Sequence, residues 1–420
     1  MKLVEIKEKE YEKFICKFDR YNFFQSIEWA KFKAKTEWSM NIVGLVDNKE
    51  VKAASILLSR KIPMINKKMY YSPRGFVIDY NDFDLLDEFT NQLKRYIKKN
   101  KGIFLKINPY VDYIKRDKDG NAISEPNDDF VEHLKSNGYL HYGFYKNANE
   151  KRDLEPRWIS VLNLKDKSID ELLKDMRQTT RWMINKSQKN CITIREAEKE
   201  EIEDFKSVMN HTAERRDFVD RSLEYYQIMY DTLKPNNMIR IMLGEIDLEK
   251  LKNTMKTDVK NLKDKIKTIE GNSKKQGQIN EYKSQIDSIN KRKKEIDLEI
   301  EKYGIKPIIA VGLYISYGKE IVYLFGGSYK EFMKYGAQYL MQYEIIKYAK
   351  ENNYNRLNFY GIDGNFDKES ENYGLFDFKR GFNSDVIELV GEFDLIVSKP
   401  YYKLYNMMLK MYKYIRKIKK

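Results

Sequence analysis

The segment Phe376-Asp377-Phe378-Lys379-Arg380-Gly381-Phe382 sets a basic pair among aromatic residues. A lysine enclosed in this way can anchor an anion or stabilise an oxyanion. The plainer alternative is two surface cations laying their stems over an aromatic cluster. Tyr71-Ser72-Pro73-Arg74-Gly75 puts Pro and Gly in the middle of a strand pair, which marks a bulge or the close approach of another group. Arg215-Arg216-Asp217 leads to Arg221, with Tyr225 and Tyr226 close behind. Asn358-Phe359-Tyr360-Gly361-Ile362-Asp363-Gly364 ends a strand in a Gly/Asp turn, a common setting for functional loops. Ser168-Ile169-Asp170-Glu171 has the form of a capping box that opens a helix. That helix is expected to carry Lys174, Arg177 and Arg181 at i, i+3 and i+7 along one face. Guanidinium forks pair bidentately with phosphates, whereas a solvated helix face is the simpler alternative.

Composition bounds this chemistry. The chain carries 78 Lys and Arg against 64 Asp and Glu, a net charge of +14 with a pI near 9.2. That balance favours an anionic partner such as nucleic acid, a phosphorylated substrate or a membrane surface, or else serves solubility. The two cysteines, Cys16 and Cys191, sit in no C-x-x-C or His/Cys spacing, and His133, His141 and His211 are scattered. A disulfide framework and a metal site are therefore not expected. No apolar stretch approaches the roughly 20 residues of a membrane span. The opening Met1-Lys2-Leu3-Val4-Glu5 has no apolar signal core. The expectation is a cytoplasmic, reduced, metal-free protein. From Tyr401 to Lys420 there are seven Lys or Arg and no acid, interleaved with Met and Tyr. A helix of that kind can lie on an anionic membrane or pack on a domain with a basic end.

The elements that would position these residues read as α/β (α+β). Strands are expected at 51–59 and 69–79, a helix at 83–100 and a strand at 102–108. The same order returns as a hairpin at 308–316 and 321–327, a helix at 335–351 and a strand at 356–360. Strand, strand, helix, strand thus occurs twice, which implies two similar α/β domains. Between them lies a different pattern. From Leu248, apolar residues recur at 251, 255, 259, 262, 266 and 269, then at 279, 282, 286, 289, 296 and 300, with Lys293 filling one seam position. These steps of three and four, broken at Gly271-Asn272-Ser273, predict an antiparallel coiled-coil hairpin. Its 16 basic and 11 acidic residues over 246–307 read first as a solvated surface. The expected domains are 1–155 with a tail 385–420 packed on it, 156–245 together with 308–384, and the arm 246–307.

Taken together and in order, these segments resemble the FemABX family of peptidoglycan aminoacyltransferases. The resemblance starts at Phe24-Gln25-Ser26-Ile27-Glu28-Trp29-Ala30-Lys31, which looks like the family's Q-x-x-x-W-x-x-x-K type segment. It continues through Tyr71–Gly75, Met176-Arg177-Gln178-Thr179-Thr180-Arg181, Leu324-Phe325-Gly326-Gly327-Ser328, Asn358–Ile362 and Gly374–Lys379. Each motif is weak alone; six in family order carry the resemblance. It implies two GNAT-like domains, with the coiled-coil arm of the FemA/FemB-like branch in the second. The implied reaction moves an amino acid from aminoacyl-tRNA, as co-substrate and with no other cofactor, to a stem-peptide amine. The implied acceptor is lipid II or its UDP-linked precursor, reached with peripheral contact at the inner face of the membrane. Family position makes Lys379 the candidate for oxyanion stabilisation. It matches Lys31 and Arg221 to positions that bind the precursor's phosphates, has Tyr225, at the family spacing after Arg221, shape the pocket, and makes Arg74 a further substrate-binding candidate. Asn108 stands where some relatives carry Asp, and Phe325 where some carry Tyr, which leaves the proton acceptor open. Lys174, Arg177 and Arg181 are the candidate tRNA contacts. Two rivals share parts of this pattern. An acetyl-CoA-dependent GNAT acetyltransferase would need a Q/R-x-x-G-x-G/A loop, and Lys334-Tyr335-Gly336-Ala337 does not match it. A non-enzymatic RNA-binding coiled-coil protein would leave the enclosed Lys379 unexplained.

Overall fold

The computed structural model describes residues 1–146 and 154–418. Its strands, in chain order, are β1 (Lys2–Glu5), β2 (Ser39–Asp47), β3 (Glu50–Lys61), β4 (Lys68–Ser72), β5 (Gly102–Ile107), β6 (Asp112–Arg116), β7 (Tyr139–His141) and β8 (Trp158–Asn163). They continue as β9 (Ile192–Glu196), β10 (Ile239–Ile246), β11 (Ile308–Tyr317), β12 (Glu320–Ser328), β13 (Arg356–Gly361), β14 (Asp385–Leu389) and β15 (Phe393–Ile396). Two sheets result. One has the order β1-β2-β3-β4-β5-β15-β7 and the other β6-β14-β8-β13-β12-β11-β10-β9. The repeat read from the sequence is present. In each sheet a long hairpin closes on a two-residue turn, Asn48-Lys49 in one and Gly318-Lys319 in the other. Asn48, Lys49 and Gly318 all have positive φ, the geometry that matches the twist of tight hairpins. A helix then crosses over to a parallel neighbour: Phe83–Lys99 leads to β5 beside β4, and Ala337–Glu351 leads to β13 beside β12.

The expected domain boundaries differ from the sheet membership at two strands. β6 lies within 1–155 and β14 within 385–420, yet both belong to the eight-stranded sheet, where β14 bridges β6 and β8. Of that tail, Val390, β15 and the helix Lys399–Ile418 pack with the first sheet. The chain therefore crosses between the sheets more than once, and buried charge ties the crossings together. Glu388 on β14 accepts hydrogen bonds from Arg116 of β6, at 2.9 and 2.7 Å, and from Arg157 beside β8. Lys106 of β5 pairs with Asp394 of β15 at 2.9 Å and with Glu392.

The arm follows the predicted seam. Helices Leu248–Ile269 and Gln276–Tyr303 run antiparallel, and every seam position named above is buried or half-buried, Lys293 among them. At its root, Leu248, Leu251, Met255 and Ile296 enter the core of the second sheet with Tyr314, Tyr335 and Leu340. Glu299 accepts a hydrogen bond from Tyr335 at 2.6 Å and pairs with Lys334 at 2.8 Å, fixing that root.

The predicted basic helix is two helices. Ile169–Asp175 starts at the Ser168 capping box as expected, but Met176 adopts extended backbone and a second helix runs Gln178–Lys189. The break puts Lys174 and Arg181 on separate helices, so the continuous i, i+3, i+7 stripe does not form. Arg181 instead turns back to donate to the carbonyls of Lys174 and Met176, each at 2.6 Å. Those are carbonyls that the end of a helix leaves without partners.

Candidate functional site

The parallel pairing of β12 with β13 covers only Glu320–Val322 against Arg356–Asn358. Beyond it the strands part, and β13 breaks register against β8 between Asn358 and Tyr360. Tyr360 there adopts a positive φ of 65°. The wedge so opened is a cavity of about 880 Å³. Tyr323 to Gly326 form one wall and Phe359 to Ile362 another. The N-terminal segment closes it through Phe24, Trp29 and Lys33, and the first sheet contributes Leu58, Arg60, Tyr71 and Pro73. Most of this lining is aromatic or aliphatic, with a few charged groups set into it. Such a mixture suits an organic substrate held by a small number of polar contacts.

Lys379 is among the most enclosed of those charges. It lies on the helix Tyr373–Arg380, is 4% exposed, and donates to the Gly361 carbonyl at 2.6 Å. Burial pushes its pKa down to about 7. Its ammonium is thus poised to gain from negative charge that develops nearby. On the same strand end, the Tyr360 hydroxyl donates to the carboxylate of Glu155. Glu155 is a half-buried cavity residue that the sequence reading missed. Burial raises its pKa above the ordinary carboxylate range, against the opposing pull of Arg74, Tyr360, Lys33 and Arg221. Consecutive residues, Tyr360 and Gly361, therefore hold the carboxylate and the ammonium.

Arg74 is buried behind this wall, donating from its guanidinium to the Pro156 carbonyl at 2.7 Å. Asn108 accepts from the Arg74 backbone N–H at 2.8 Å and donates to the Tyr71 hydroxyl at 3.1 Å. Its amide thus braces two wall residues, and an amide has no basic site for a proton near neutral pH. Phe325 lines the cavity and meets Tyr226 edge to face at 5.6 Å.

Arg221 and Tyr225 stand at the cavity's edge on and just before the helix Leu223–Leu233, with the Arg221 guanidinium over the Tyr225 ring at 5.2 Å. That helix packs on Ile27–Ala34, where Phe32 meets Tyr225 at 5.0 Å. Phe23, Phe24, Trp29 and Phe32 share a core with Phe205, Tyr226 and Leu313 of the second domain. This joint carries Lys33 into the cavity, with its amine over Tyr225 at 5.5 Å. Burial and the neighbouring Arg221 lower its pKa to about 8.

Lys31, the residue matched from the sequence, is elsewhere. Its amine pairs with Glu8 at 2.7 Å on the surface, and it does not line the cavity. Counting the spacing from Gln25 through Trp29 ends on Lys33, so the motif itself held the signal. The expected result of Lys33→Ala is a KM for an anionic acceptor raised by roughly 10-fold or more. Lys31→Ala should leave KM unchanged and stability within about 0.5 kcal/mol. Steady-state kinetics on the two variants side by side checks this, and a larger effect at Lys31 would reverse the assignment.

The basic segment borders the Lys379 helix. Arg177 donates its backbone N–H to the Gly381 carbonyl at 2.9 Å and pairs with Asp377 at 3.0 Å. Lys174 is exposed, and the following helix presents Trp182 to solvent at 58% exposure, with the Lys186 amine over its ring at 4.7 Å. An exposed indole beside cations is a stacking surface for a nucleobase. Sequence reading passed over it because Trp182 falls among core-like apolar neighbours.

Comparison with known proteins places these features in context. The FemAB family model matches residues 6–410. Aminoacyltransferase FemA of Staphylococcus epidermidis is 31% identical over 419 residues, spanning 98% of this chain and all of that protein. Aminoacyltransferase FemA of Staphylococcus aureus is 30% identical over 417 residues, spanning 98% and 99%. Among solved structures, FemX superposes with a TM-score of 0.74 at 27% identity, covering 96% of this chain and 99% of that one. A tandem GNAT protein from the clavulanic acid biosynthesis pathway shares the fold, with a TM-score of 0.50 at 6% identity over 94% and 98%.

Proposed function

This chain belongs to the FemAB family, and from that premise we propose that it is an aminoacyltransferase that moves an amino acid from aminoacyl-tRNA to the stem-peptide amine of a peptidoglycan precursor, lipid II. The observation that carries the reading is the cavity itself. It gathers a buried ammonium, Lys379, and a half-buried carboxylate, Glu155, between aromatic walls, with Lys33 and Arg221 inside and at its edge.

In this reading Glu155 takes a proton from the acceptor ammonium, and the freed amine attacks the ester carbonyl of the donor. The new N–C bond forms as the carbonyl electron pair moves onto oxygen. The Lys379 ammonium faces that oxyanion, which is the charge a preorganised cation stabilises best. Collapse breaks the ester C–O bond; the second proton that leaves the nitrogen goes to the departing ribose oxygen, and the one held by Glu155 passes to solvent. An ester becomes an amide, so the donor's own activation drives the step. Lys33 and Arg221 would hold the acceptor's phosphates. Trp182, Lys186 and Lys174 offer a surface for the tRNA beside the Lys379 helix, while Arg177 and Arg181 spend their guanidinium groups on protein partners. Glu155 takes the role of proton acceptor that Asn, in place of Asp, at position 108 leaves open.

The test is to supply the purified protein with a panel of charged tRNAs and either lipid II or its UDP-linked precursor, and to read products by mass spectrometry. A mass gain of one amino-acid residue, larger with lipid II, is the expected outcome. Acetylation with acetyl-CoA and no gain with any charged tRNA would favour the acetyltransferase reading. Glu155→Gln keeps the side chain's shape but cannot take the proton, and it should lower kcat by about 10²-fold. Unchanged kcat in that variant would remove Glu155 from the reaction.

A further inference from the structure

The helix Lys399–Ile418 uses one side to join the first domain and leaves a different side bare. Tyr402 is 6% exposed and meets Phe104 at 5.3 Å, and its hydroxyl donates to Asp394 at 2.7 Å. Tyr405, three residues on, meets Phe104 at 5.2 Å and reaches the sulfur of Met69. These contacts define the docked face. Another apolar row runs along the helix at Met407, Met411, Tyr414 and Ile415, with exposures of 54, 59, 68 and 50%. The steps of four, three and one keep those residues on one side, roughly 100° per residue around the axis. That side lies away from Tyr402 and Tyr405. The row is therefore neither core nor part of the docked contact.

Charge says what fits it. Lys403 and Lys410 are exposed and seven residues apart on the helix. The sequence from 401 to 420 holds seven basic residues and no acidic one. Single-sign charge beside an apolar strip calls for a partner whose surface is anionic throughout. A strip of Met, Tyr and Ile flanked by one sign of charge suits a plane that is apolar beneath and anionic on top. No helix among the described residues is long and apolar enough to cross a membrane, so a helix of this composition would lie along the surface. Its root also adjoins the cavity: Lys67 lies over Tyr401 at 4.7 Å, and Tyr405 is next to Arg60, a cavity residue.

We propose that the face of Lys399–Ile418 bearing Met407, Met411, Tyr414 and Ile415 is a docking surface for an anionic lipid bilayer. The binding is independent of aminoacyl transfer, and it is read without either substrate. The intact chain is mixed with vesicles of phosphatidylcholine alone, or with about a third phosphatidylglycerol, and sedimented at low and high salt. It should sediment with the anionic vesicles only, and salt should weaken the association. A triple variant, Met407→Ser with Met411→Ser and Ile415→Ser, should lower partitioning by roughly 10-fold or more. Lys403→Glu with Lys410→Glu should do the same. All five positions are exposed, so both variants should keep the parent's thermal unfolding midpoint. Absence of binding to anionic vesicles at low salt, or equal binding by parent and variants, would overturn the proposal. So would concentration-dependent self-association without vesicle binding, lost in the triple variant, since a second copy would then cover this face.

Discussion

Lys379→Met is expected to lower aminoacyl transfer by about 10²–10³-fold, the usual loss when one preorganised oxyanion partner is removed. The loss should fall on kcat, because the interaction strengthens only as the carbonyl oxygen becomes charged. The same substitution should stabilise the fold. Lys379 is 4% exposed and its pKa falls from 10.5 to about 7 through burial. Between those values the unfolded chain holds the proton and the folded chain releases it, so stability rises with pH across that interval. Below about pH 7 the folded protein carries the full penalty of a buried charge, and above 10.5 it carries none. Methionine, which has a similar length and no charge, removes the penalty. The variant's advantage should therefore be largest below pH 7, at most roughly 5 kcal/mol, and shrink toward pH 10. Denaturation midpoints of the two proteins across pH 6–10 give the answer. A variant that is inactive and also less stable at pH 6 would show that Lys379 supports the fold and would weaken its assignment to the reaction.

Removing the carboxylate of Glu388 should cost more stability than any other single change among the residues discussed. Glu388 lies between Arg116 and Arg157, is 4% exposed, and belongs to the strand that fastens β6 to β8. Glu388→Ala would leave two guanidinium groups facing each other across a buried gap. Breaking a buried pair from one side costs about 3–5 kcal/mol, because the abandoned charge keeps its desolvation penalty. Arg157 also lines the cavity, so a rise in KM should accompany the loss. Urea unfolding of the variant checks the first part. A shift below about 1 kcal/mol would mean that water enters and solvates the arginines.

The distribution of what could be read in advance follows from distance along the chain. The arm seam was legible because steps of three and four residues express one local geometry, and every position named from spacing is buried or half-buried. The hairpin at 308–327 and both crossover helices were legible for the same reason, whereas β2 and its turn at Asn48-Lys49 were not read. Lys379 stood out through its immediate aromatic neighbours. The Lys31 assignment failed over two residues, a small error in sequence and about half a turn on a helix, which carries the side chain from cavity to surface. The basic stripe failed at Met176-Arg177, where two non-helical residues end one helix and start another.

Sequence by itself determined the arm and the period of its seam, the hairpin at 308–327, both crossover helices and the family, and singled out Lys379, because each rests on neighbours within a few residues or on motif order. Tertiary structure alone decided which strands share a sheet and which side chains share the cavity. β6 and β14 joined the second sheet through pairings that span hundreds of residues, as Ile387 with Lys115 does. Glu155 has no local pattern that marks it as functional. It meets Tyr360, about 200 positions away, only because β8 lies beside β13 and that strand bulges where β12 leaves it. Long-range pairing depends on the whole set of competing contacts and not on any one segment, and the chemistry assembled at such a junction becomes visible only once the chain has closed around it.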